Sequence, residues 1–258
     1  MISESDPDYV TALARGLKVL KTFNQEGRPL TNAEVADLTG LTRATARRFL
    51  LTLEATGYLQ TDGRLFSLTP RVMDLGTGYF TSRPVWEQAQ PVMKRLVDEI
   101  DESCSLAVLD GIDVVYLARV PPKHLMTIPI SVGTRLPAFT NAMGRVLLAC
   151  LSEEEVEHRL ATADITSFTN HTIRQPGELR RILSDARIND YAVALHEMHE
   201  GRGAIAVPVR DREGRVHGAI NIAAMLTRVS KERLTGDVLA RLQAAAREIG
   251  DGLTLHSN

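Results

Sequence analysis

The chain has 258 residues, 44% of them hydrophobic, and a formal net charge of −2. That length and apolar content allow two domains with buried cores, and no run approaches the roughly 18 unbroken apolar residues of a membrane span. The N-terminal stretch MISESDPDYV lacks the apolar segment of a secretory signal, and the two cysteines, Cys104 and Cys150, form no C-x-x-C pair, so a disulfide scaffold is excluded and a cytoplasmic setting is expected.

In chain order, Val10, Leu13, Leu17, Leu20 and Phe23 recur at helical spacing, and EGRP ends that helix. Thr31 and Glu34, three apart, form a capping box that starts a second helix. Val35 and Leu38 are its expected buried face, and Gly40 its stop. Thr42 is the expected cap of a third helix running to Gly57. Ala46, Phe49, Leu50 and Leu53 share one face of it, Ala44, Arg47 and Arg48 point away, and Thr45 lies at the flank. YLQTDGRLFSL then gives two short β-prone runs around TDG, a hairpin. Two short helices joined through a glycine and followed by a hairpin define a winged helix-turn-helix.

Pro70 opens a further helical stretch, and residues 71–84 are expected to link domains 1–70 and 85–258. Residues 85–101 predict a helix anchored by Trp86, Val92, Leu96 and Ile100, with Pro91 marking a kink or a late start. Strands follow in SCSLAVLDG, DVVYLARV and LMTIPISV. Helices follow in NAMGRVLLACL, SEEEVEHRLA (capped by Ser152) and PGELRRILSDARIND. GAIAVPVRD and VHGAINIAAM are strands joined by REGR, and a helix from Ser230 closes the chain. Antiparallel hairpins alternating with helices make the C-terminal domain α+β.

DNA needs cations for phosphate and directional donors for base edges. From Arg43 to Arg71 five basic residues stand against two acidic ones, on and beside the third helix. Arg43, Arg47 and Arg48 are the expected base and phosphate contacts, since arginine bonds guanine bidentately. Small Ala44 and Thr45 let the helix approach closely. Arg64 in the wing meets phosphate or the minor groove, and Thr31 caps a helix start able to hold a phosphate. Arg71 is expected to be structural.

In the second domain, Thr140 and Asn141 precede a helix whose free N–H groups, those of Ala142 and Met143, favour a carboxylate. Gly144 would permit close approach, and Asn221 is a polar residue on an otherwise apolar strand. Enzyme motifs are missing: there is no G-x-S-x-G elbow, no Walker loop and no H-E-x-x-H helix. His196, Glu197 and His199 lack the pairing of a zinc helix. Nothing near Cys104 in sequence would lower its pKa. No cofactor or metal is expected, and no enzymatic activity.

The stretches LTRATARRFLLTLEATGYL, LAVLDGIDVVYLARV, VGTRLPAFTNAMGRVLLA and GAIAVPVRDREGRVHGAINI resemble the IclR family of bacterial transcriptional regulators, over about residues 10–250. MTIPISVGTRLPAFTNAMGRVLLA and FTNHTI are most similar to the branch controlling catabolism of protocatechuate, 4-hydroxybenzoate and related aromatic acids. The resemblance implies a GAF-like effector domain and a dimer, or dimer of dimers, paired through the N-terminal domains on operator DNA. It implies an effector site at Leu125, Ile128, Leu136, Ala142, Met143, Ala204, Asn221 and Ala223. Where the family's small-keto-acid sensors carry an acidic contact, a cysteine and two serines, this chain has Ala194, Ala204, Asn221 and Ala223. Such a pocket suits a larger, flatter carboxylate, an aromatic acid. The alternatives are a non-aromatic carboxylate, or a thiol-based enzyme on the same scaffold.

Overall fold

The computed structural model describes residues 3–81, 85–123 and 130–253, which fall into two compact units, 1–82 and 83–258. The division, after residue 82, falls within the stretch 71–84 expected to link the domains.

In the first unit, α1 (Thr11–Glu26), α2 (Asn32–Thr39) and α3 (Arg43–Ala55) stack over a small antiparallel sheet of order β1-β3-β2, from β1 (Leu30–Thr31), β2 (Leu59–Thr61) and β3 (Leu65–Leu68). The core is Val19, Phe23, Leu30, Val35, Ala46, Leu50, Leu59 and Phe66. The α2–α3 turn depends on Gly40, whose left-handed φ of 69° closes the helix end. The expectation that Leu38 is buried fails: Leu38 is exposed, and the inner stripe of α2 is Val35, Ala36 and Thr39. A polar residue can sit there because the Thr39 hydroxyl donates to the Val35 carbonyl one turn back. A 3-10 turn (Pro70–Met73) and α4 (Asp74–Thr81) complete this unit. Arg71 lies over the Tyr58 ring and against Gly57, a packing role.

The second unit is built on one six-stranded antiparallel sheet, of order β6-β5-β4-β9-β8-β7. In chain order come α5 (Val85–Ile100), β4 (Ser103–Asp110), β5 (Asp113–Val120) and β6 (Arg135–Pro137). Then follow α6 (Ala142–Ala149), α7 (Glu153–Thr162), α8 (Pro176–Asn189), β7 (Ala192–Leu195), β8 (Arg202–Arg210) and β9 (Val216–Met225). The chain ends in a short helix α9 (Lys231–Arg233), a π turn (Leu234–Val238) and α10 (Leu239–Leu253). The expected single C-terminal helix is therefore widened at one point, which keeps both Leu234 and Val238 fully buried. Helix α5 runs unbroken from Val85 through Pro91, so Pro91 does not mark a late start. Strands β6 and β7 had no sequence counterpart; the strand expected in LMTIPISV falls largely outside the described residues.

Alternation along the strands gives the sheet two unlike faces. Cys104, Leu106, Ile205, Val207, Ile220 and Ile222 form one, under α5 and α10. The other carries small residues (Ser103, Ala107, Ala204, Ala206, Ala219, Ala223) below α6. Large aliphatics make a packed core on the first face, and small side chains leave room on the second.

Candidate functional site

The residues expected to read DNA lie at the first unit's surface. Thr31 and Glu34 make both halves of the capping box. The Glu34 carboxylate accepts from the Thr31 N–H and hydroxyl at 2.8 Å, and its pKa is pulled down to about 2, chiefly by the Thr31 backbone bond. The start of α2 thus already carries a carboxylate, which makes Thr31 a cap first. Thr42 accepts the Thr45 N–H at 3.2 Å, and the two hydroxyls meet at 2.9 Å, so Thr45 is held toward the helix start. Arg43, Ala44, Arg47 and Arg48 are exposed on α3, and among the described residues none of these arginines has an ion-pair partner. The side chain of Asn32 donates to the Arg43 carbonyl at 3.2 Å and so ties α2 to the start of α3. Arg64 stands exposed at the wing tip, where the Asp62 carboxylate accepts the Arg64 and Leu65 N–H groups and Gly63 takes a φ of 96°.

In the second unit, a cavity of about 120 Å³ lies between the small-residue face and the segments above it. It is lined by the sequence-predicted Leu136, Asn141, Ala142, Ala204, Asn221 and Ala223. Leu125 and Ile128 lie outside the described residues. Met143 is fully buried in the core under α6 and does not line the cavity. Nor is its N–H free for a ligand: the Asn141 Oδ1 accepts it at 2.9 Å, and the Gly144 N–H at 3.4 Å. Gly144 serves packing rather than a ligand, because a Cβ there would stand 2.2 Å from the Ala138 carbonyl oxygen. Asn221 accepts the Ser105 N–H at 3.0 Å, a tie within the sheet that also faces the cavity.

Sequence reasoning missed Tyr116, Arg119, Arg202 and His199, all of which line the cavity. Tyr116 and Arg119 are three residues apart, which in a regular strand puts them on opposite faces. A register shift between Leu106 and Ala107 on the paired strand brings both to one face, so that Arg119 stands opposite Ser105 and Tyr116 opposite Ala107. The Tyr116 phenol accepts from the Asn141 Nδ2 at 3.2 Å, and burial raises its pKa, keeping it a neutral donor.

One wall is fixed by a buried ion pair. Arg145, 1% exposed, meets both oxygens of Glu197, 3% exposed, at 2.5 and 2.7 Å. Arg145 also donates to the carbonyls of Phe139 and Val193. The Thr169 and Thr172 hydroxyls donate to the backbone at His196 and Glu197, and the Ile173 N–H donates to the Glu197 carboxylate. The HEMH segment is thus a clasp. Glu197 is occupied by arginine, and the His196 Nδ1 accepts the Gly201 N–H. Cys104 lies on the opposite face of the sheet, fully buried, with a pKa raised by desolvation, which removes the basis for a thiol enzyme. A wider groove of about 660 Å³ along Leu160, Ile165, His171 and Arg174 is open to solvent and shares no lining residue with the cavity.

A winged helix with unpaired arginines on its third helix, and a second unit with a cavity of ligand size, define a ligand-responsive DNA-binding regulator. The IclR helix-turn-helix domain model matches residues 12–63, and the model of the C-terminal domain of bacterial IclR transcriptional regulators matches residues 77–251. The chain belongs to the IclR family of bacterial transcriptional regulators; it is not an enzyme. It is 38% identical over 245 residues to the Pca regulon regulatory protein of Pseudomonas putida, covering 95% of this chain and 84% of that one. It is 33% identical over 247 residues to the p-hydroxybenzoate hydroxylase transcriptional activator of Acinetobacter baylyi, covering 94% and 91%. An IclR homologue from Microbacterium hydrocarbonoxydans, solved with 4-hydroxybenzoate, superposes with a TM-score of 0.82 at 26% identity, covering 95% of this chain and all of that one.

Proposed function

We propose that the protein is a cytoplasmic regulator of an aromatic-acid catabolic operon, and that a hydroxylated benzoate occupies the cavity of the second unit. The cavity carries this reading. Its volume of about 120 Å³ suits a single ring; an apolar cavity of roughly 150 Å³ holds benzene. Ala194, Ala204 and Ala223 give a flat floor, and Ile130 and Leu136 apolar walls. The relatives named for the pca regulon and for p-hydroxybenzoate hydroxylase, and the homologue with 4-hydroxybenzoate, support the same ligand class.

The regulator works as a symmetric oligomer. Leu13 and Leu17 on α1, with Val10 just before it, are 63%, 45% and 62% exposed, and Met73 and Leu75, just before and within α4, are exposed too. An apolar surface of this kind suits pairing with a second copy. A two-fold dimer presents two α3 helices to two half-sites of a pseudo-palindromic operator. Among the described residues no helix is long and apolar enough to cross a membrane.

A thermal-shift panel of 4-hydroxybenzoate, protocatechuate, benzoate and adipate tests the ligand class, because a ligand that binds only the folded state raises the melting temperature. A hydroxybenzoate should give the largest rise, and Ala204→Phe, which fills the floor, should remove it. A rise with adipate alone would replace the aromatic reading with a non-aromatic one.

A further inference from the structure

Most arginines of the second unit are neutralised within the protein. Arg145, Arg210, Arg215, Arg228 and Arg241 each have a carboxylate at ion-pair distance. Arg119 and Arg202 both line the cavity, and neither has such a partner among the described residues. They rise from β5 and β8, with β4 and β9 between. Arg119 stands in the row of Ser105 and Asn221 and Arg202 in the row of Met225, and the row between them, Ser103–Ala223–Ala204, is made of small side chains. Both border the one cavity, close enough for each charge to act on the other. Arg119 is half-buried, and its pKa is lowered first by desolvation and further by the charge of Arg202.

The acidic groups nearby are already engaged. Both Glu197 oxygens are on Arg145. Glu102 lies within electrostatic reach of Arg202 but is paired with the Arg228 Nε at 3.1 Å. Two partly buried cations that line one cavity without an ion-pair partner among the described residues form an incomplete site, because an unpaired charge away from water is costly. An anion completes it, and arginine's planar fork matches a carboxylate.

We infer that the effector's carboxylate is clamped by Arg119 and Arg202, with its ring over Ala204 and Ala223 and its para hydroxyl toward the Asn141–Tyr116 pair. The inference rests on the cavity being the effector site. It assigns the carboxylate to side-chain cations rather than to the start of α6, where Asn141 has already taken the Met143 and Gly144 N–H groups. At the far end the Tyr116 hydroxyl, which accepts from Asn141, keeps its own hydrogen to donate to a ring hydroxyl. The site therefore selects a para-hydroxylated aryl carboxylate over its neutral ester.

The test is calorimetric titration of the full chain with 4-hydroxybenzoate and with its methyl ester. Wild type should prefer the acid. Arg119→Gln and Arg202→Gln should each lose about ten- to a hundredfold in affinity for the acid and most of the acid-over-ester preference. Arg119→Lys should restore part of that preference. If both glutamine variants keep the wild-type preference while Ala204→Phe abolishes binding, the clamp is wrong and the cavity reading stands. If Ala204→Phe binds the acid as wild type does, the cavity reading falls and the clamp with it. Wild type that binds neither compound overturns both.

Discussion

Arginine does opposite work in the two units. On α3 the unpaired guanidiniums of Arg43, Arg47 and Arg48 stand in solvent, where leaving a cation without a partner costs little. In the second unit Arg145 is buried, and its fork is closed on Glu197 and two carbonyls. Arg119 and Arg202 are of a third kind, partly buried at the cavity and without an ion-pair partner among the described residues. An exposed free cation suits a polyanion whose charge varies little with sequence. A half-buried free cation suits one small anion of fixed shape. A buried paired cation binds nothing further and holds the wall for its neighbours.

The largest expected effect comes from breaking the closed member of this set. Glu197→Ala leaves Arg145 buried without its carboxylate, and urea unfolding of the second unit should show a loss of about 3–5 kcal/mol. A loss near zero would mean that the Arg145 pair is not the clasp of the cavity wall. Next in size, Arg47→Ala or Arg48→Ala should cost about 1–3 kcal/mol of operator affinity and relax discrimination at one base position. Unchanged affinity and base preference in both would remove α3 from the major groove.

Arg64→Ala sharpens the comparison within the first unit. Its loss should weaken binding to all sequences alike, and the slope of log affinity against log salt should fall by about 0.9, one phosphate contact. A change of base preference instead would make the wing a reader. The smallest effect concerns the cap of α2. The Glu34 pKa is about 2 in the fold against an ordinary 4.5, so its contribution is fully present above pH 4.5 and is lost as pH falls toward 2. Melting of the first unit across that window should show an acid-dependent decline that Glu34→Gln flattens; an identical decline in both proteins would assign it to other carboxylates.

The first unit was legible because its signals are local. Thr31 with Glu34, Thr42 before α3, and TDG between β2 and β3 each act within a few residues, and each appears in the structure where the spacing puts it. Leu38 was misread because an eight-residue helix buries a stripe that propensity alone does not orient, and a back-bonded threonine took the inner place. The cavity was only partly legible. Leu136, Asn141, Ala142, Ala204, Asn221 and Ala223 were found through family resemblance and helix-start reasoning. Tyr116 and Arg119 were not, because the irregularity that brings them to one face is a property of strand pairing, and period-two alternation does not show it. Arg202 begins a strand whose neighbour β7 is only four residues long, too short to announce itself. Met143, expected at the effector site, is buried away from the cavity, and its N–H is taken by the Asn141 carbonyl oxygen at the helix start.

The most direct measurement of the central claim is a crystal structure of the chain with 4-hydroxybenzoate bound. The ring should lie against Ala204 and Ala223, the carboxylate between Arg119 and Arg202, and the hydroxyl at Tyr116. A ligand seated outside this cavity, or one reversed so that its carboxylate faces the Ala142 N–H, would contradict it.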